Sequence, residues 1–135
     1  MIPILFIWNG VALFLARVFL GILFLIHGWP KIKDLKANGA QFEGMGFKPG
    51  IFWGTIVALL EFFGGIALIL GFLTQPIALF IAIEMVVATL WRISKNHPFV
   101  SGYELDLTLA LLGFVLATSG GGIYALDNLW PFIYY

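Results

Sequence analysis

The sequence predicts an all-α fold, a bundle of four membrane-crossing helices, and three observations carry that prediction. Hydrophobic residues make up 61% of the 135 and charged residues only 10%, with a mean hydropathy of +1.03, outside the range of water-soluble domains. Four apolar runs of spanning length follow one another along the chain. Most ionisable residues fall in the connections, but Arg17, Glu61 and Glu84 each sit near the middle of a different run. Residues 1–135 are read as a single membrane domain, because four spans leave no room for a separate soluble catalytic unit.

The first run extends from Leu5 to Ile26. No Lys or Arg precedes it and Arg17 interrupts it, so it reads as a retained anchor rather than a cleaved signal peptide. Gly28 and Pro30, in His27-Gly28-Trp29-Pro30, mark its expected end, since glycine and proline commonly follow a helix C-terminus. The second run, Ile51 to Gly71, closes on glycine, and Thr74-Gln75-Pro76 turns the chain into the third, Pro76 to Trp91 with its flanks. These two helices form a tight antiparallel hairpin. The fourth run is Leu105 to Ala117 with its flanks. Its first turn carries Glu104 and Asp106, where carboxylates favour the positive end of the helix dipole.

Six of the seven Lys and Arg residues lie in the two longer connections: Lys31, Lys33, Lys36 and Lys48 in one, Arg92 and Lys95 in the other. The positive-inside rule then places both connections in the cytoplasm and both termini outside it, in the cell (inner) membrane. The net charge is zero. Without a basic surplus, binding to a nucleic-acid backbone is not expected. Cysteine is absent, which removes thiolate catalysis, Fe-S clusters and thiolate metal sites.

The buried acids do not forbid insertion. Twelve Leu, Ile, Phe and Val residues in the second run contribute roughly −4 to −7 kcal/mol, against about +3 for one central carboxylate. The cost falls further if Arg17 meets Glu61 at matching depth, or if Glu61 or Glu84 stays protonated. One arginine cannot neutralise two acids, so the surplus carboxylate is a candidate proton-binding group; the alternative is a structural acid hydrogen-bonded to a neighbour. Small residues follow each charge at helical spacing, namely Gly21 after Arg17, Gly64 and Gly65 after Glu61, and Ala88 after Glu84, which points all three charges into the bundle. An Arg17–Glu61 pair has two readings: a buried fastening, or a group that also orients or protonates a ligand.

His27 stands at the expected end of the first helix. There it either caps carbonyls or donates to a ligand carbonyl. His97, in Lys95-Asn96-His97-Pro98, reads as solvated, and a bis-histidine haem, which would need both, is not expected. Glu104, preceded by Gly102, either decorates the start of its helix or enters the bundle. No metal site is expected.

Together these residues resemble the DoxX/DoxD family of small four-helix membrane proteins. Arg17, Leu20-Gly21, Phe24, His27-Gly28 and Lys31 match the family's opening pattern. Phe42 and Gly46 resemble its first loop. Glu61, Gly64-Gly65, Leu68 and Gly71 resemble its second helix, and Gly102 and Glu104 the start of its fourth. The run Gly120 to Asp127 is similar to its glycine-rich turn followed by Ser-Leu-Asp. Gln75 departs from the basic residue common after the threonine, and Glu84 is an extra acid in a helix usually more apolar.

The resemblance implies a subunit of membrane oxidoreductase systems such as thiosulfate:quinone oxidoreductase, or of a mycobacterial assembly with a sulfurtransferase and superoxide dismutase. Three functions follow as expectations. In the first, the chain is a quinone-associated redox subunit, Arg17, His27, Glu61 and Glu104 holding the cofactor and Glu61, Glu84 and His27 handling protons while a partner supplies electrons. In the second, it is a non-catalytic accessory subunit packed against other membrane or redox proteins; lipid is a further partner and an alternative bound ligand under any of the readings. The third, proton or ion transport through the carboxylates, would require a homo-oligomer.

Overall fold

The computed structural model describes residues 4–130, and the termini, with the expectation about which side they face, lie outside those residues. Helix α1 spans Asn9–Lys33 and is preceded by a 3-10 turn, Ile4–Trp8. Helix α2 is Leu35–Met45, α3 Gly50–Leu70, α4 Thr74–Ser94 and α5 Glu104–Ser119, with a closing 3-10 turn at Leu126–Leu129. Four stretches are long and apolar enough to cross a membrane: Ile4–Lys33, Gly50–Leu70, Thr74–Ser94 and Phe99–Ser119. The four-span bundle of the sequence is therefore present.

Two boundaries differ from expectation. First, α1 continues through Pro30 to Lys33 instead of ending near His27. Proline leaves the carbonyl four residues back without its helical donor, but the last turns are held against α3, because a Cβ on Gly28 would lie only 2.5 Å from the Phe62 nitrogen. Second, the first basic connection is not a loop. It contains α2, whose first turn is capped by Asp34, which accepts from the Ala37 N–H at 3.0 Å. Asn38 then donates to the Gly54 carbonyl at 2.7 Å, and Glu43 accepts from the Gly50 N–H at 2.6 Å, so polar contacts dock α2 on the start of α3.

Antiparallel α1 and α3 form the closest seam. Gly21 and Gly65 face each other, and a Cβ on either would lie 2.7 Å from the other's carbonyl oxygen. Helix α4 packs mainly on α5 with Gly113 against Ala78 and Ala82, and Leu20, Phe24, Leu68, Ile81, Leu109 and Leu116 fill the space between the two pairs. Lipid chains are as apolar as these side chains, so close backbone approach between small residues is what favours helix against helix here. The α3–α4 hairpin turns on Gly71, in the left-handed conformation at φ 74°, as its place after the second run predicts.

The bundle has two unlike ends. At the lysine-rich end the Trp91 indole donates to the Met45 carbonyl at 2.9 Å, and Arg92 pairs with Asp106 at 2.6 Å. At the other, α1 meets the glycine-rich turn after α5, with Gly10 against Ile123 and Phe14 edge-on to Tyr124. The chain segments leading to the two termini thus lie at one end.

Candidate functional site

Arg17 does not meet Glu61. Its side chain, 1% exposed, donates through Nη1 to the carbonyls of Leu68 at 2.6 Å and Ile69 at 2.7 Å, through Nε to Gly121 at 3.2 Å and through Nη2 to Tyr124 at 3.3 Å. Leu68 and Ile69 lie in the last turn of α3, where carbonyls lack the usual donor four residues on, the Leu68 oxygen otherwise taking only the Gly71 N–H at 3.2 Å, while Gly121 and Tyr124 belong to the irregular turn. One guanidinium with its fork of donors satisfies them all. Glu61 lies about 12 Å away along the helix axis, eight residues at 1.5 Å each. The expected fastening pair is absent because Arg17 is level with the end of α3, not its middle.

Asp127 completes that end. Its two carboxylate oxygens accept from the N–H groups of Leu73 at 2.6 Å and Thr74 at 3.0 Å, and its own N–H donates to Gly71 at 2.9 Å. Gln75 donates to the Ala117 carbonyl at 3.1 Å, tying the start of α4 to the end of α5. Arg17 and Asp127 therefore satisfy non-helical backbone at the ends of the spans, where unpaired polar groups would be costly.

The partner of Glu61 is Lys31, Nζ to Oε2 2.7 Å, with side-chain exposures of 28% and 5% respectively. Gly28 makes this pairing possible: lacking a side chain, it lets α1 lie directly on the backbone and Cβ of Glu61, and Lys31 follows three residues later on the same face. Glu84, from α4, lies close enough to Glu61 and Lys31 for their charges to act on it. With both acids ionised neither has a hydrogen to donate, and Oε2 of Glu84 is buried without a hydrogen-bond partner among the described residues. Three helices thus bring one amine and two carboxyls together, an arrangement suited to taking up and passing on a proton.

The remaining candidates lie elsewhere. His27 is exposed on α1, its Nδ1 2.7 Å from the Leu23 carbonyl of the same helix. Glu104 does not enter the bundle; it accepts from the Ser101 N–H at 3.0 Å and caps the entry to α5. His97 lies at the surface beside Trp91. Of the predicted site residues, only Glu61 and Glu84 converge. In the sequence Lys31 stands among the loop cations and in the opening pattern of the resemblance. The signal that marks it is spacing, since Arg17, Gly21, Phe24, Gly28 and Lys31 recur at intervals of three and four along one helical face.

The DoxX family profile matches residues 12–93. The chain is similar to the inner membrane protein YqjF of Escherichia coli, 36% identical over 126 residues that cover 90% of this chain and 93% of the relative. It is also similar to a Bacillus subtilis protein named "Putative oxidoreductase CatD", 28% identical over 120 residues, covering 89% and 85%, and to the inner membrane protein YphA of Escherichia coli, 26% identical over 125 residues, covering 87% and 89%. No solved structure matches the chain.

Proposed function

The chain belongs to the DoxX family, and from that premise we propose that it is a small integral subunit of an electron-transfer assembly in the inner membrane, with Lys31, Glu61 and Glu84 as a proton-handling site beside a bound quinone. The observation that carries this reading is the convergence of those three side chains from α1, α3 and α4 in an otherwise apolar bundle. Ionisable groups held inside spans face partners or pathways. The name of the Bacillus relative points the same way.

The chemistry of the side chains at the cluster supports a quinone ring as the ligand. The Lys31 ammonium, part exposed beside a buried acid, is a donor for a ring carbonyl, and the unpartnered Oε2 of Glu84 is an acceptor for a ring hydroxyl. Trp29 and Phe62, neighbours of Gly28 and Glu61, lie with ring centroids 5.7 Å apart and supply an aromatic flank. When bound, a quinone supplies two-electron chemistry coupled to two protons. The chain's own part is to hold a proton between Glu61 and Glu84 and to orient the ring from Lys31; electrons come from a partner subunit. On this reading the lysine-rich end faces the cytoplasm and both termini face outward, which the bias of Lys and Arg toward the two longer connections supports.

The test is purification from native membranes in mild detergent, with identification of bound quinone and partner subunits, followed by quinone turnover in Glu61→Gln and Glu84→Gln variants. Quinone in stoichiometric amount and turnover lost in both variants are the expected result. Unchanged turnover removes the site.

A second reading, an accessory subunit of a larger membrane complex, is favoured by the full engagement of Arg17 and Asp127 and the Arg92–Asp106 pair in holding the fold together. Under it, deleting the chain impairs assembly of the complex, any co-purifying molecule is lipid, and Glu84→Gln is silent.

A further inference from the structure

We propose that the Lys31–Glu61–Glu84 cluster is the blind end of a half-channel: its carboxyls exchange protons with water at the lysine-rich end alone, and no path continues to the glycine-turn end. The inference rests on the proton-handling role given to these acids and adds the side from which they are reached.

Beyond the cluster, toward the glycine turn, the interior is apolar and closely packed. Leu68 lies seven residues past Glu61 and Thr74 ten residues from Glu84, about 10 Å and about 15 Å at helical rise. Leu20, Phe24, Leu68, Ala78 and Ile81 occupy that layer with 0–1% exposure. Among the described residues every buried polar or charged one lies outside it: Arg17 and Thr74 at its far edge, Glu61 itself, and Asn38 and Thr89 on the lysine side. The α1–α3 seam admits no water, because the Gly21 and Gly65 backbones are in direct contact. At the far edge stands the Arg17 guanidinium, held by four carbonyls, and a fixed positive charge repels an entering proton or cation.

Toward the lysine-rich end polar groups lie among the buried apolar ones, Ala58 and Met85. Lys31 touches Glu61 while more than a quarter of its side chain is exposed. Thr89 lies five residues past Glu84 in that direction, its hydroxyl donating to the Met85 carbonyl at 2.8 Å. Asn38, on the helix that covers the same end, has a buried Oδ1 without a hydrogen-bond partner among the described residues. The charged groups facing the acid pair are each other across α3 and α4, and Lys31 from α1. Such one-sided access lets the site load a proton for chemistry without short-circuiting the membrane, and it excludes transport through these carboxylates.

The absence of cysteine makes the test direct. Single variants Glu61→Cys and Glu84→Cys are treated with silver ion on one side of sealed membrane vesicles and then assayed for residual thiol. Lys95→Cys, in the exposed turn after α4, and Asn128→Cys, exposed beside the glycine turn, report the two sides. Protection of both test thiols from the Lys95 side and none from the Asn128 side is expected. Protection from the Asn128 side, or from neither, overturns the proposal.

A second measurement needs no variant: proteoliposomes holding the unmodified protein under an imposed pH gradient should leak protons no faster than protein-free ones, and a leak abolished by Glu84→Gln overturns the proposal. Both readouts report access whether or not quinone binds. Absence of quinone would therefore defeat the functional reading and leave this one standing.

Discussion

Lys31 and Arg17 show how the neighbours of a buried charge decide its work. Removing Lys31 strands Glu61, and an uncompensated buried charge costs about 3–5 kcal/mol. Lys31→Met should therefore lower the unfolding temperature in detergent steeply, and adding Glu61→Gln should restore most of the loss. Additive effects in that double-mutant cycle would show that the 2.7 Å contact carries no coupling. Arg17→Lys keeps the charge but lacks the planar fork that reaches four carbonyls. The expected cost is about 3 kcal/mol, from carbonyls left without donors, read as a loss of thermal stability with no change in side-specific labelling at position 84. Asp127→Ala removes two backbone caps and should cost about 1 kcal/mol for each by the usual value of a helix cap.

Among the elements, the α1–α3 seam and helix α2 respond in opposite ways to a gained methyl group. At Gly28 a Cβ would lie 2.5 Å from the Phe62 nitrogen and 2.9 Å from the Glu61 Cβ, so Gly28→Ala must push α1 away from α3 and separate Lys31 from Glu61. A marked drop in unfolding temperature is expected, together with loss of the Lys31–Glu61 coupling. At Gly44, inside α2, nothing lies within 4 Å, and Gly44→Ala should stabilise by up to about 1 kcal/mol through helix propensity alone. The sequence shows where these elements are because apolar length and the glycine at 71 are local properties. It does not show α2 as a helix: its low hydrophobicity reads as a loop, and the caps from Asp34 and Glu43 acquire meaning only when the start of α3 lies beside them.

For the whole molecule, the prediction concerns sidedness. The approach of Gly10 to Ile123 and of Phe14 to Tyr124 brings both terminal segments to one end, while Trp91 and Arg92 bind the opposite end through Met45 and Asp106. Reporters fused at either terminus should give the same signal, and a reporter inserted after Lys95 the opposite one. Unlike signals from the two termini would contradict a bundle of four spans.

Composition and hydrophobic length by themselves determined the class, the four spans, the hairpin at Gly71 and the presence of costly charges inside them, because each depends on transfer of a contiguous segment out of water. The two acids could be picked out on the same ground. What only the tertiary structure decided is which charges meet. Arg17 and Glu61 each lie mid-run, and matching them required knowing the stagger of α1 against α3, which is set by where Gly21 and Gly28 let the backbones touch. That stagger carries Arg17 to the last turn of α3 and brings Lys31, from a stretch that reads as loop, to Glu61. Depth along a bundle is a relation between helices, and no residue's own neighbours in the chain contain it.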